Sequence, residues 1–167
     1  MQLHIRDGWV PGIIGFTASA HARYYAREWG FGPVFEAQVA SGMAAFIERY
    51  DPRRDLLLWA ELDGEIAGTI TIDGTDPALP EGQAHLRWFI VPDFARGLGV
   101  GRQLFEAALN HLTVTGYNSC YLTTFAGLDP ARRLYESAGF ALHKEQQGES
   151  WGTPVLEQLF ILELGNR

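Results

Sequence analysis

Hydrophobic positions along this chain change rhythm several times, and each rhythm predicts an element. Leu3 to Arg6 alternates weakly between apolar and polar residues, as a short strand does. Asp7-Gly8-Trp9-Val10-Pro11-Gly12 breaks it. Ala18 to Trp29 reads as a helix closed by Gly30, and Pro33 to Tyr50 as a second helix with proline in its first turn. In the second helix Val34, Phe35, Gln38, Val39, Gly42, Phe46 and Ile47 recur at helical spacing. Asp51-Pro52 ends it. The rhythm then shortens to two. Leu56 to Leu62 and Ile66 to Ile72 read as strands joined by Asp63-Gly64, a two-residue hairpin signal. Asp73 to Gly82 is a loop, and Ala84 to Val91 is the next strand. Gln103 to Thr115 is a helix whose inward face is Leu104, Ala107, Ala108 and Leu112, closed by Gly116. Ser119 to Phe125 is a strand, Asp129 to Ser137 a short helix, and Phe140 to Gln146 and Val155 to Leu164 are the last strands. This order describes one α/β domain, a mixed sheet flanked by helices.

Composition narrows the classes. The 167 residues suffice for one domain with a substantial core. With 47% hydrophobic and 20% charged residues, the chain is not a disordered one. A formal net charge of -7 argues against general nucleic-acid binding. Cys120 is the only cysteine, so neither an internal disulfide nor a multi-cysteine zinc site can form, and no metal centre is expected. No apolar run approaches membrane-span length, and the N-terminus lacks an apolar signal core. A soluble protein of the reducing cytoplasm is the expectation.

The richest segment is Phe89-Ile90-Val91-Pro92-Asp93-Phe94-Ala95-Arg96-Gly97-Leu98-Gly99-Val100-Gly101-Arg102. A strand stops at proline, and a glycine turn flanked by Arg96 and Arg102 leads into a helix. That order gathers free backbone N–H groups at a helix N-terminus, a site for a phosphate or pyrophosphate. A dinucleotide site would need G-x-G-x-x-G near the first strand of a parallel unit, and a P-loop would need Gly-Lys-Ser/Thr. Neither is present.

Arg96-Gly97-Leu98-Gly99-Val100-Gly101 resembles the acyl-CoA signature (Q/R-x-x-G-x-G/A) of the GNAT family of N-acetyltransferases. Ala131-Arg132-Arg133-Leu134-Tyr135-Glu136-Ser137-Ala138-Gly139-Phe140 is similar to that family's A-x-x-L-Y-x-x-x-G-F segment, at the usual separation. Leu128 departs from the pattern, since many members carry asparagine there. Within the family, His21 to Phe31, then Phe35 to Ala40 and Trp59 to Thr69, resemble a bacterial subgroup: the acetyltransferase half of MarR–GNAT fusion proteins. No winged-helix domain is expected before Leu3, so the fused relatives' DNA binding is not carried over.

The resemblance implies the GNAT fold, a mixed and mostly antiparallel sheet of about seven strands flanked by helices. It implies acetyl-CoA as donor. The N–H groups of Leu98, Gly99, Val100, Gly101 and Arg102 would cradle the pyrophosphate beside Gly97, with Arg96 adding charge. Phe89, Ile90 and Val91 would pair with the pantetheine arm, and Phe89 or Ile90 would supply the N–H that receives the thioester oxygen. Arg132 or Arg133 would reach the adenosine phosphates. Tyr135 is implied as the acid that protonates the departing thiolate. His85 is the candidate base, with Glu28 and Glu36 as rivals that could instead recognise a cationic substrate, and a water relay as a third route. Trp29, Phe31 and Trp151 are candidate walls of the acceptor pocket, among a wider aromatic set of Tyr24, Tyr25, Trp88 and Phe125.

The implied activity is acetyl transfer to a primary amine by direct attack in a ternary complex. The amine belongs to a small molecule or a peptide, and the acidic balance favours a cationic one. The alternative is a silent acyl-CoA-binding sensor of the same fold; a nucleotide-binding protein of another family is a weaker third. No nucleic-acid or membrane partner is expected, and Phe140 to Leu164 is the expected surface of a homodimer.

Overall fold

Alternation in Leu57-Leu58-Trp59-Ala60 gives one strand two apolar faces, and both are used. Leu58, Ala60 and Leu62 enter one core, while Leu57 and Trp59 enter another on the opposite side. A computed structural model describes residues 1–165. Its strands are β1 (Leu3–Asp7), β2 (Leu56–Leu62), β3 (Glu65–Asp73), β4 (Gln83–Ile90), β5 (Ser119–Phe125), β6 (Ala141–Gly148) and β7 (Val155–Glu163). Its helices are α1 (Ile13–Trp29), α2 (Pro33–Glu48), α3 (Val100–Thr115) and α4 (Asp129–Ser137).

The strands form one seven-stranded sheet in the order β1-β2-β3-β4-β5-β7-β6. Every neighbouring pair is antiparallel except β4 with β5. On one face Leu104, Phe105, Ala108 and Leu112 of α3, with Tyr135 of α4, close the larger core over Ile70, Ile72 and Leu86. On the other face α1 and α2 bury Ile13, Met43 and Phe46 against Leu57 and Trp59, and an aromatic cluster of Phe31, Phe35 and Phe125 lies beyond. The β2–β3 turn has Asp63 at φ 50° and Gly64 at φ 87°, the paired positive angles its sequence predicts.

Several boundaries differ from the sequence reading. Helix α1 starts at Ile13 rather than Ala18. Gly12, at φ 89°, turns the chain directly into the helix, where Ile13 and Thr17 are fully buried. Helix α3 starts at Val100 rather than Gln103, so the glycine turn and the first helical turn overlap. Ala107 is only half-buried on the inward face, and Phe105 takes the more buried place.

Two irregularities in β4 position the site. First, β4 and β5 pair only from Gln83↔Ser119 to His85↔Tyr121. Beyond that β4 follows β3 and β5 follows β7, and the two strands part into a cleft. Second, Thr71 faces Arg87 while Thr69 faces Ile90, so β4 carries one extra residue there. Trp88 absorbs the bulge at φ 48°. Leu86 and Phe89 pack toward α3, so the extra residue leaves both Arg87 and Trp88 on the α2 side.

Candidate active site

At the mouth of the cleft, β4 runs through a short 3-10 turn at Asp93–Ala95 into the glycines. Gly97 and Gly99 both sit at φ 79°, a conformation only glycine adopts without strain. Nothing lies within 4 Å of where a Cβ would stand on either. The first helical bond of α3 is donated by the Gln103 N–H to the Gly99 carbonyl oxygen, at 3.1 Å. The N–H groups of Leu98 to Arg102 have no backbone partner among the described residues. These free donors and the positive helix end suit a diphosphate. The turn is braced from α1. Arg96 lies over the Tyr24 ring at 4.6 Å and donates from Nε to the Val91 carbonyl oxygen at 3.0 Å, and Arg27 pairs with Asp93 at 2.8 Å.

Behind this mouth the cleft encloses about 830 Å³, the range of small-molecule sites. Both parted strands line it, β4 with His85 to Ile90 and β5 with Leu122 to Phe125. Phe89, Ile90, Val91 and Arg96 are in its wall, as the sequence reading requires. Tyr135 reaches the wall from α4, between Phe89 and Phe105. Its hydroxyl makes no hydrogen bond among the described residues, and burial holds its pKa well above the usual phenol value, so the phenol is protonated and able to donate.

Deeper along β4, His85 stacks on Tyr121, ring centroids 4.1 Å apart, with Nδ1 and the Tyr121 hydroxyl at 3.0 Å. Burial lowers its pKa to about 3, and the neighbouring Arg87 charge pushes the same way. Both effects favour the neutral imidazole. Arg87 donates from Nη1 to Asp73 at 3.1 Å and stacks on Trp88 at 4.1 Å. Asp73, fully buried, is gripped at both oxygens by Arg49, at 2.6 and 2.7 Å. Two guanidinium groups thus share one carboxylate. Burial opposes the charge on Asp73, but the arginine bonds win, and its pKa lies below the usual carboxylate value. Arg87, Gln38, Ser41, Thr123 and Thr124 are cleft residues that sequence reasoning missed. Arg87 could have been found from His85, because residues two apart on a strand share a face.

Several expected residues lie elsewhere. Trp151 lines the cleft, but Trp29 and Phe31 stand behind it. Phe31 is locked among Tyr25, Phe35 and Phe125, and Trp29 packs edge-on to Phe125 beneath Gly127. Glu28 is exposed and pairs with Arg27 at 2.9 Å, and Glu36 is exposed on the first turn of α2. Neither lines the cleft. Arg132 turns away, over the Phe160 ring at 5.3 Å and onto Glu136 at 3.2 Å. Arg102 and Arg133 are exposed. His21 is buried, donates from Nδ1 to the Thr17 carbonyl oxygen at 2.7 Å, and has its pKa lowered by burial to about 4.

Comparison with known proteins shows which family the chain is similar to. A family model described as "Acetyltransferase (GNAT) family" matches residues 19–140. An uncharacterized N-acetyltransferase of Schizosaccharomyces pombe is 29% identical over 117 residues, 70% of this chain and 69% of that protein. Among solved structures, an acetyltransferase from Salmonella typhimurium, solved with its cofactor acetyl-CoA, superposes with a TM-score of 0.75 at 16% identity, covering 100% of this chain and 96% of that one. A ribosomal-protein-alanine N-acetyltransferase from Brucella melitensis gives a TM-score of 0.75 at 16% identity over 96% and 99% of the two chains. These likenesses show the fold, and the free N–H groups at Gly99 fit the diphosphate of the acetyl-CoA that such enzymes use. With the family model matching residues 19–140, most of its length, this chain belongs to the GNAT family of acetyltransferases.

Proposed function

We propose that the chain is an N-acetyltransferase that moves an acetyl group from acetyl-CoA to a primary amine by direct attack in a ternary complex. One observation carries the reading. Phe89 to Val91 and Arg96, which lead into the glycine turn, and Tyr135 line the same cleft between β4 and β5. Bound acetyl-CoA supplies an activated thioester at that point. The N–H groups of Leu98 to Arg102 hold its diphosphate, and Phe89 to Val91 offer the parted edge of β4 to its arm. A backbone N–H of Phe89 or Ile90 receives the carbonyl oxygen. As the N–C bond forms and the C–S bond breaks, Tyr135 gives its proton to the sulfur.

The amine must also lose a proton. His85 takes it at Nε2, in the tautomer whose Nδ1–H donates to the Tyr121 oxygen. Its low pKa makes it a relay that passes the proton on rather than a store. The same proposal covers the likeness of residues 21–31, 35–40 and 59–69 to the acetyltransferase half of MarR–GNAT fusion proteins, a cytoplasmic setting, and a homodimer through the last strands, Phe140 to Leu164. Buried Cys120, its thiol pushed up to about 12 by burial, suits a reducing compartment. Among the described residues no helix is long and apolar enough to cross a membrane.

Calorimetry with acetyl-CoA and free CoA tests the cofactor site. Wild type binds, and Gly99→Glu does not, because a carboxylate then occupies the space of the diphosphate. Thiol release with a panel of amines tests transfer. Binding without turnover on any amine would favour the sensor; no binding by folded wild type would remove the acetyltransferase reading.

A further inference from the structure

The charge on the cleft wall runs against the sign of the whole molecule. The chain carries -7, yet among the described residues no aspartate or glutamate lines the cleft. Among the described residues the arginines in the wall are Arg96 and Arg87. Arg96 belongs to the cofactor mouth, tied to Val91, Tyr24 and Asp93. Arg87 stands on the other side of the bulge, toward His85, where the acceptor must enter. A polyamine or a lysine side chain would bring positive charge to a wall that has only positive charge to offer.

Arg87 is built for recognition rather than for structure alone. Asp73 already has both oxygens bonded by Arg49, so Arg87 is the second guanidinium on a satisfied carboxylate. One Arg87 nitrogen is spent on Asp73, and Nε and Nη2 have no partner among the described residues. An arginine presents five donors in a planar fork, so the free edge matches a carboxylate. The side chain is only 24% exposed and is held rigid by the Trp88 ring at 4.1 Å. Helix α2 makes room for it at Gly42, where a Cβ would stand 3.3 Å from Nη2. Ser41 and Gln38 of α2 and Thr123 of β5 add neutral polar groups to the same wall. Arg87 and Asp73 are the charges that act on His85.

We infer that the acceptor is a small aminocarboxylate, its carboxylate received by Arg87 and its amine turned toward the thioester end of the cleft. The inference rests on the N-acetyltransferase reading and names its substrate class. It replaces the cationic acceptor that net charge suggests. The cleft, about 830 Å³, is large enough to hold a small acceptor beside the thioester end of the cofactor.

Wild-type enzyme with acetyl-CoA is assayed by thiol release on α-, β- and γ-amino acids, on the carboxamide of each, and on putrescine and a lysine-containing peptide. The acid of the preferred pair is expected to exceed its amide in kcat/KM by about 10-fold or more, since the amide leaves Arg87 unpaired. Arg87→Gln is expected to raise KM for the acid by a similar factor, to change the amide far less, and to leave KM for acetyl-CoA nearly unchanged. A thermal melt and Arg87→Lys, which keeps the charge beside Asp73 but loses the fork, separate recognition from folding. The wild-type comparison of acid with amide needs no variant at all. Turnover of amides, putrescine or the peptide at rates equal to the acids overturns this inference and leaves N-acetyltransfer standing. Acetyl-CoA binding with no thiol release on any amine overturns both.

Discussion

Removing one oxygen from Tyr135 separates proton donation from packing. Tyr135→Phe keeps the ring between Phe89 and Phe105 and deletes the donor. We expect kcat to fall by about 10²-fold or more while the acetyl-CoA dissociation constant changes little; an unchanged kcat in steady-state assays would reduce Tyr135 to a packing residue. The raised pKa extends the protonated, donating form toward alkali, so Tyr135 does not set an alkaline limb below pH of about 10. His85 sets no acid limb of kcat/KM near 6.5, because its pKa in the free enzyme is about 3. The acid limb instead tracks the acceptor amine and moves when an amine of different pKa is used. A limb fixed near 6.5 for every amine would contradict this. At this scale Gly97 and Gly99 were legible because a positive φ leaves glycine as the residue of least strain. Arg87 was missed although it lies two residues from His85 on the strand, because a charged strand residue reads as solvated until the strand beside it is seen to part.

Helix α3 has glycine at both its edge and its first turn, and the two differ physically. Gly99 sits at φ 79°, outside the helix, whereas Gly101 lies within α3 and outside the positive-φ region. A Cβ on Gly101 would meet Val91 and Phe89 at 3.5 and 3.6 Å, ordinary contact distances. Gly101→Ala is therefore expected to stabilise the fold by up to about 1 kcal/mol, and Gly99→Ala to cost about 1–2 kcal/mol, both read from urea denaturation. The periodic elements were legible because each buries a continuous stripe: the β2–β3 hairpin, β5 and α4 fall where alternation and caps put them. The bulge in β4 was not. One extra residue shifts the phase of a strand, and in Leu86-Arg87-Trp88-Phe89-Ile90 that shift is hidden inside an apolar run. The start of α1 was masked by Gly12 and Gly15, which look like loop residues until Ile13 and Thr17 are seen in the core.

Across the whole molecule, acid sensitivity should come first from two histidines and only later from the buried ion cluster. His21 and His85 have folded-state pKa values of about 4 and about 3, both below the ordinary 6.5. The unfolded chain therefore binds more protons between pH 6.5 and 4, and stability falls as pH is lowered through that window. At pH 5 the deficit is 1.5 pH units below 6.5, which costs about 2 kcal/mol for His21. His85, partly exposed on the cleft wall, adds a smaller amount. Asp73 acts in the same direction but lower on the scale: its stabilising charge is lost only as pH falls below the ordinary carboxylate value of about 3.9. Unfolding free energies from urea denaturation at pH 7 and pH 5 should therefore differ by about 2–3 kcal/mol, with proton uptake on unfolding. His21→Leu should remove the larger part of that difference. His21 lies in the aromatic layer between α1 and α2 with Tyr25 and Phe35. Tyr25 also faces the cleft, so the acid loss should loosen the cofactor mouth along with the fold. Acetyl-CoA, which binds only the folded chain, should then shift the acid midpoint downward in proportion to the logarithm of its concentration. A ligand-independent midpoint would mean that the acid transition leaves the cofactor site intact.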